Sequence, residues 1–173
     1  MKKKASIPRE DYNFKNPYVY NQGDADMEKY IQPLLNEFGA DNVADPELLR
    51  RYEQLEYLDI LGARIWISAH SENWRQRAAA VDAVLKFAMA KLPERYKDGR
   101  TKNLFLALME FSRINAEDKV LQIYYTSLKI MAVALQPPIC GEDVSPVLVN
   151  RTLTKFMGIL VEKSNPLSRQ SPK

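Results

Sequence analysis

The sequence predicts an all-α fold: an α-solenoid of antiparallel helical hairpins preceded by an extended N-terminal arm. Three observations predict it. Only 6 of the 173 residues are glycine, too few for the tight turns of a strand-rich fold. From residue 27 onward, apolar residues recur at spacings of three and four, the period of a helix face. The helices so marked are joined alternately by tight turns (HSEN, NAED, KSNP) and longer polar connections (PERYKDGR, QPPICGED), as in stacked hairpins. With 46% hydrophobic and 27% charged residues the chain is globular, and its length suits one domain.

Residues 1–26 lack a helical period and carry Pro8 and Pro17. Composition makes them a disordered tail. The cluster Tyr12, Phe14, Tyr18 and Tyr20 also suits an extended arm lying on the domain or on a partner. The helical domain is residues 27–173. A short helix is expected over Met27–Phe38, ended by Gly39. Asp45 as N-cap and Pro46 at the first helical position begin the next. Its stripe is Leu48, Leu49, Tyr52, Leu55, Leu58, Leu61 (or Gly62), Ile65, Trp66 and Ala69, one helix of about six turns. It ends near His70.

The following helix carries Trp74, Ala78, Val81, Leu85, Ala88 (or Met89) and Leu92 on one stripe and is closed by Pro93. A third long helix, about Lys102 to Asn115, is expected to bury Leu104, Phe105, Leu108, Met109 and Phe111. After NAEDK, the fourth has a stripe of Leu121, Tyr124, Tyr125, Leu128, Met131, Ala132 and Leu135. Ser145 and Pro146 start a fifth, with Val149, Leu153, Phe156, Met157, Leu160 and Val161 facing the core. SNPLSRQSPK reads as a loop or frayed end.

Charge is unevenly spread. Residues 24–59 hold ten acids against three bases, and residues 60–135 hold twelve bases against seven acids. A mildly basic middle suits either a solvated helix face or an acidic protein surface. It is too mild for a nucleic-acid binder. Cys140 is the only cysteine, so no internal disulfide forms and a secreted origin is not expected. It reads as a small hydrophobe near a loop.

His70 is the only histidine, against His-based zinc sites and His-dependent triads. Phosphate-cradling glycine loops are absent from the sequence. Glu117 and Asp118 stand where acids serve the next helix N-terminus. The expectation is no enzyme, no cofactor and no metal. No apolar run approaches the roughly 20 residues of a membrane span, and MKKKASIPRED has no apolar segment behind its basic start, so it is not a secretory signal. A soluble intracellular protein is expected, with no membrane or nucleic-acid partner.

Equivalent second helices start near Trp74 and Val120, about 46 residues apart, inside the period of HEAT and armadillo arrays. The chain would hold about two and a half HEAT-like hairpins. Within such an array, the turn SENWRQR resembles the first intra-repeat loop of a TOG domain, a flat HEAT paddle that binds tubulin through loops along one edge. AHSENWRQRAAAVDAVLKFAMAKL is similar to the opening repeat of the TOG domain in the ciliary-tip centrosomal family. NLFLALMEFSRINAEDKVLQIYYTSLKIMAVAL and VSPVLVNRTLTKFMGILVEKSNPLSRQ resemble its second and third repeats. The resemblance spans about residues 57–169. A full paddle of that family has more repeats than this chain, which would be either a fragment or a short TOG-like protein.

The resemblance implies tubulin contact by Ser71, Asn73, Trp74 and Arg75 of the first loop. In the second loop (Asn115, Ala116, Glu117, Asp118, Lys119) it implicates Asn115 and Lys119. Lys163, Asn165 and Arg169, with Ser164 between them, follow in the third. Arg77 is expected to brace the hairpin internally. Glu117 and Asp118 are an awkward pair to offer an acidic partner. The implied partner is tubulin or microtubules, and other ciliary or centrosomal proteins would meet the N-terminal arm. The implied location is the cytoplasm and its cytoskeleton, at a cilium, axoneme, centrosome or basal body.

For Trp74 two readings stand side by side. Its spacing to Ala78, Val81 and Leu85 makes it the top of a core stripe, whereas the repeated turns at Asn115 and Lys163 place it on a ridge of equivalent loops. A rival function is a HEAT-type scaffold that holds another protein without tubulin contact.

Overall fold

The structure is a computed structural model that describes residues 25–39, 58–90 and 100–164. Among the described residues the fold is all-helical. Residues 1–24 of the expected N-terminal arm and residues 45–57 of the expected long helix lie outside them, while the last two residues of the arm, Ala25 and Asp26, belong to the first helix.

Helix α1 (Ala25–Phe38) buries Met27, Ile31 and Leu34 on one face, each contributing about 2 kcal/mol against an exposed reference. Pro33 sits within it on the exposed side, and Gly39, at φ 80°, ends it with its N–H on the Leu35 carbonyl at 2.9 Å. The residue after a helix commonly turns left-handed, where glycine has no Cβ to clash.

The long helix expected to end at His70 is not continuous. Its described part is α2 (Leu58–Leu61) and α3 (Ala63–Ala69), separated by Gly62 at φ 77°, ψ 149°. That conformation is essentially restricted to glycine, so the stripe place offered to Leu61 or Gly62 is the point where the helix breaks. All of α3 is buried, including Arg64 and Ser68, and Trp66 meets Phe111 edge to face at 5.3 Å between ring centres. His70 closes α3: its N–H reaches the Ile67 carbonyl, and Nδ1 lies 2.8 Å from the Trp66 carbonyl. A carbonyl can only accept, so Nδ1 carries a proton.

Helix α4 (Trp74–Met89) buries Gln76, Ala80, Val81, Ala83, Val84, Phe87 and Ala88. Among the described residues of the expected stripe only Val81 and Ala88 are fully buried; Ala78 and Leu85 are half-buried, Trp74 and Met89 are exposed, and Leu92 and the closing Pro93 lie outside the described residues. The cause is tertiary: α4 is flanked by α1 on one side and by α6 on the other, with α3 beneath. Helix α5 (Arg100–Asn115) buries all five expected residues, Leu104, Phe105, Leu108, Met109 and Phe111.

Helix α6 (Leu121–Ala134) departs most. It buries Ile123, Ser127, Ile130 and Ala134, whereas Leu121 and Tyr125 are 64% and 57% exposed. In α7 (Pro146–Ser164) only Phe156 of the expected stripe is buried, and Met157 and Val161 are exposed. Ser145 caps α7 by accepting from the Leu148 N–H at 3.2 Å, with Pro146 at the first helical position. Cys140 is half-buried against the core in the loop before it.

The helices form two layers. One holds α1, α4 and α6 side by side, and the other holds α2–α3, α5 and α7. The core lies between them, with Trp66, Phe87, Phe105 and Phe111 at its centre. The tight turns 70–73 and 116–120 therefore fall at one edge. The last residues of α7 arrive at that edge too, since Lys163 reaches Asp118.

Candidate functional site

The edge is built on Arg77, in the first turns of α4. Its Nε donates to Asp118 Oδ2 at 2.6 Å and its Nη2 to Oδ1 at 3.3 Å. Its Nη1 donates to the carbonyls of Ser71 and Glu72 at 2.8 and 3.0 Å. The guanidinium fork thus holds the first loop to itself and to the second loop, 41 residues away in sequence. Asp118 Oδ1 also accepts the Val120 N–H at 2.8 Å, which steadies the start of α6. Lys163 Nζ donates to the Asp118 carbonyl and lies 4.9 Å above the Tyr124 ring.

Burial would raise the Asp118 carboxyl, but the hydrogen bond from Arg77, the Val120 N–H and the charges of Arg77 and Lys163 outweigh it. The carboxyl is held below its ordinary value.

The first loop is stiffened by smaller bonds. Ser71 Oγ donates to Gln76 Oε1 at 2.8 Å and accepts the Asn73 N–H at 3.2 Å. Gln76, itself buried, donates on to Ser68. Asn73 is the N-cap of α4, its Oδ1 accepting the Arg75 N–H at 3.0 Å. Trp74 follows as the first residue of that capped helix. It is 46% exposed, and the guanidinium carbon of Arg75 lies 5.8 Å from its ring centre. The core reading of Trp74 does not hold: the buried face of α4 runs through Gln76, Ala80 and Val84 instead.

The other expected site residues divide. Arg75 and Lys119 are exposed; Ser71 is half-buried with its hydroxyl engaged. Lys163 reaches the edge half-buried, its ammonium directed at Asp118 and Tyr124. Asn115 is corrected: it is 2% exposed, and its Nδ2 donates to the Phe111 carbonyl at 2.8 Å, so its side chain faces inward. Asn165 and Arg169 lie outside the described residues. The acids of the second loop are engaged within the chain, Asp118 by Arg77 and Glu117 by Arg113 at 3.4 Å.

Sequence reasoning set Arg77 aside as an internal brace. It is one, and it also joins two loops, which no local spacing shows. Leu121 and Tyr125 were missed as exposed residues beside Lys119 because they fit an apolar stripe. Among the described residues no group of three His, Cys, Asp or Glu side chains could hold a metal ion, and no helix is long and apolar enough to cross a membrane. The arrangement offers an aromatic anchor and exposed cations on a braced ridge. Compared with protein-family models, curated proteins and solved structures, the chain matches none.

Proposed function

We propose that this chain is a non-enzymatic, HEAT-type helical array that binds tubulin or microtubules through the edge carrying Trp74. The observation that carries the reading is Trp74 itself, 46% exposed at the start of a helix fixed by the Asn73 cap. A tryptophan held this way buries large apolar area with little side-chain entropy to lose, the property of an interface anchor. Arg75 and Lys119 stand exposed at the same edge and complement an acidic protein surface. The pairing of Asp118 with Arg77 turns one of the two acids inward, and Glu117, 60% exposed, has Arg113 beside it at 3.4 Å. The side-by-side order of α4 and α6, and of α5 and α7, supports the HEAT-type reading. Tubulin as the partner, and a ciliary or centrosomal location, rest on the resemblance of SENWRQR and the repeats after it.

The test is co-migration of the full chain with tubulin on a sizing column and co-pelleting with microtubules at low salt. Trp74→Glu should abolish both, while circular dichroism and melting stay close to wild type, since an exposed substitution costs within about 1 kcal/mol. Binding that survives Trp74→Glu removes the anchor from the proposal. A wild-type chain that fails to bind at low salt, where charge attraction is strongest, returns the function to a scaffold for another protein. That rival reading draws on the apolar side chains left exposed on α6 and α7.

A further inference from the structure

A groove opens between α5 and α7, in the layer opposite α4 and α6. Both helices run toward the edge that carries the turn 116–120: α5 ends there, and Lys163 near the end of α7 reaches Asp118. Their walls repeat the same spacing. Leu106, Glu110 and Arg113 line the groove from α5, and Leu148, Thr152 and Lys155 line it from α7. Each set stands at i, i+4 and i+7, one helix face over two turns.

The groove changes character along its length. Away from the edge it is apolar, with Leu106 and Leu148 half-buried and Met109 fully buried. Nearer the edge it is charged, and the charges do not balance. Glu110 is the only acid among the lining residues, and Arg113 already holds it, Nε and Nη2 donating to its two oxygens at 2.9 and 2.7 Å. Arg151 and Lys155, on the opposite wall, are exposed, and among the described residues neither has an acid within 4 Å. Thr152 adds no free donor, since its Oγ1 donates to the Leu148 carbonyl. The space between the walls is about 160 Å³. Small-molecule sites take roughly 300–1,000 Å³, so what fits here is a side chain.

We infer that the α5–α7 groove takes an acidic peptide segment of a partner protein. One apolar side chain seats against Leu106, Met109 and Leu148, and carboxylates beside it meet Arg151 and Lys155. Charge complementarity selects this occupant: a carboxylate finds two cations without a counter-charge beside an apolar wall, where attraction is screened less than in open water. A basic segment finds only an acid that is already paired. Spacing sets the pattern of the segment. Arg151 and Lys155 stand three and seven residues beyond Leu148, roughly 4.5 and 10 Å along the helix. An extended peptide advances about 3.3 Å per residue, so its acids lie one to three residues from the apolar one. The groove shares no residue with the Trp74 edge and does not depend on what that edge binds.

The probe is a fluorescein-labelled peptide, GGLEEEGG, titrated with the full chain by anisotropy. Two controls accompany it, one with the glutamates changed to glutamines and one with the leucine changed to serine. The parent peptide should bind at least about fivefold more tightly than either, the range that exposed ion pairs and one partly covered leucine supply. Its advantage over the glutamine peptide should shrink at 0.5 M salt. Arg151→Glu and Lys155→Glu, both at exposed positions, should each weaken it by about fivefold or more with unchanged helicity. Lys129→Glu makes the same change of net charge at an exposed position of α6, and it should leave binding within about twofold, as should Trp74→Glu. Equal binding of the glutamate and glutamine peptides overturns the proposal, as does equal binding of the leucine and serine peptides. So does a loss with Lys129→Glu as large as that with Arg151→Glu, which would reduce the attraction to net charge. Absent peptide binding, with either phosphatidylserine vesicles or a concentration-dependent dimer lost on Arg151→Glu, overturns it in favour of a membrane surface or a second copy.

Discussion

Arg77 donates to three acceptor groups that belong to two different loops, the carbonyls of Ser71 and Glu72 and the Asp118 carboxylate. Charge-assisted bonds of this kind contribute about 1.5–3 kcal/mol when part-buried. Asp118 supplies the titratable end. Its folded-state value lies below the ordinary carboxylate value, so the pair's stabilisation is complete above the unfolded value of about 3.9. It is lost as pH falls through the lower folded value. Asp118→Asn should therefore destabilise the chain by about 2 kcal/mol at pH 7, with the gap to wild type closing as pH falls below about 4. Urea melts of both proteins across that range measure it. The local role of Asp118, an acid just before a helix start, was legible from NAEDK. Its partner was not, because 41 residues separate the two side chains and sequence spacing carries no information about contacts between hairpins. Asn115 misled for a related reason: a polar residue at a turn reads as exposed until its amide is seen to satisfy the Phe111 carbonyl.

The helices themselves were readable where apolar and polar residues separate cleanly. Helix α5 alternates Leu104, Phe105, Leu108 and Met109 with Lys102, Glu110 and Arg113, so one stripe stood out and it is the buried one. Helix α6 has one charged residue in fourteen, and several stripes then serve equally well by hydrophobicity. The buried stripe includes Ser127, whose Oγ donates to the Ile123 carbonyl at 2.8 Å and so loses its cost within the helix. Packing against α4 and α5 chose that face, and such a choice is tertiary. The break at Gly62 is the converse, a local signal taken for a stripe position. Its φ of 77° with ψ of 149° makes Gly62→Ala costly, by about 1–3 kcal/mol. A Tm lower by several degrees, with the fourth to seventh helices still folded below it, is the expected thermal scan.

Across the whole molecule, the alternation of short and long connections made the succession of antiparallel helices legible, and the two layers follow from it. The sequence does not reveal how unequally those layers are filled. Helices α4 and α5 lie in the middle and hold half of the largest fully buried side chains, whereas α7 has only Phe156 fully buried and packs chiefly on α5. Opening free energy tracks such burial. Native-state hydrogen exchange should therefore release α7 amides first and the centres of α4 and α5 last. Uniform protection across these helices would contradict this ordering.

The linkage from Arg77 through Asp118 to Lys163 bears on how fast anything meets that ridge. Loop tips fastened to one another present one settled shape, so an arriving molecule waits for no ordering step. Encounter is then governed by diffusion, orientation and the attraction of Arg75 and Lys119 for opposite charge. Salt should slow arrival far more than it hastens departure, and the lifetime of the encounter would be set by how deeply Trp74 is buried.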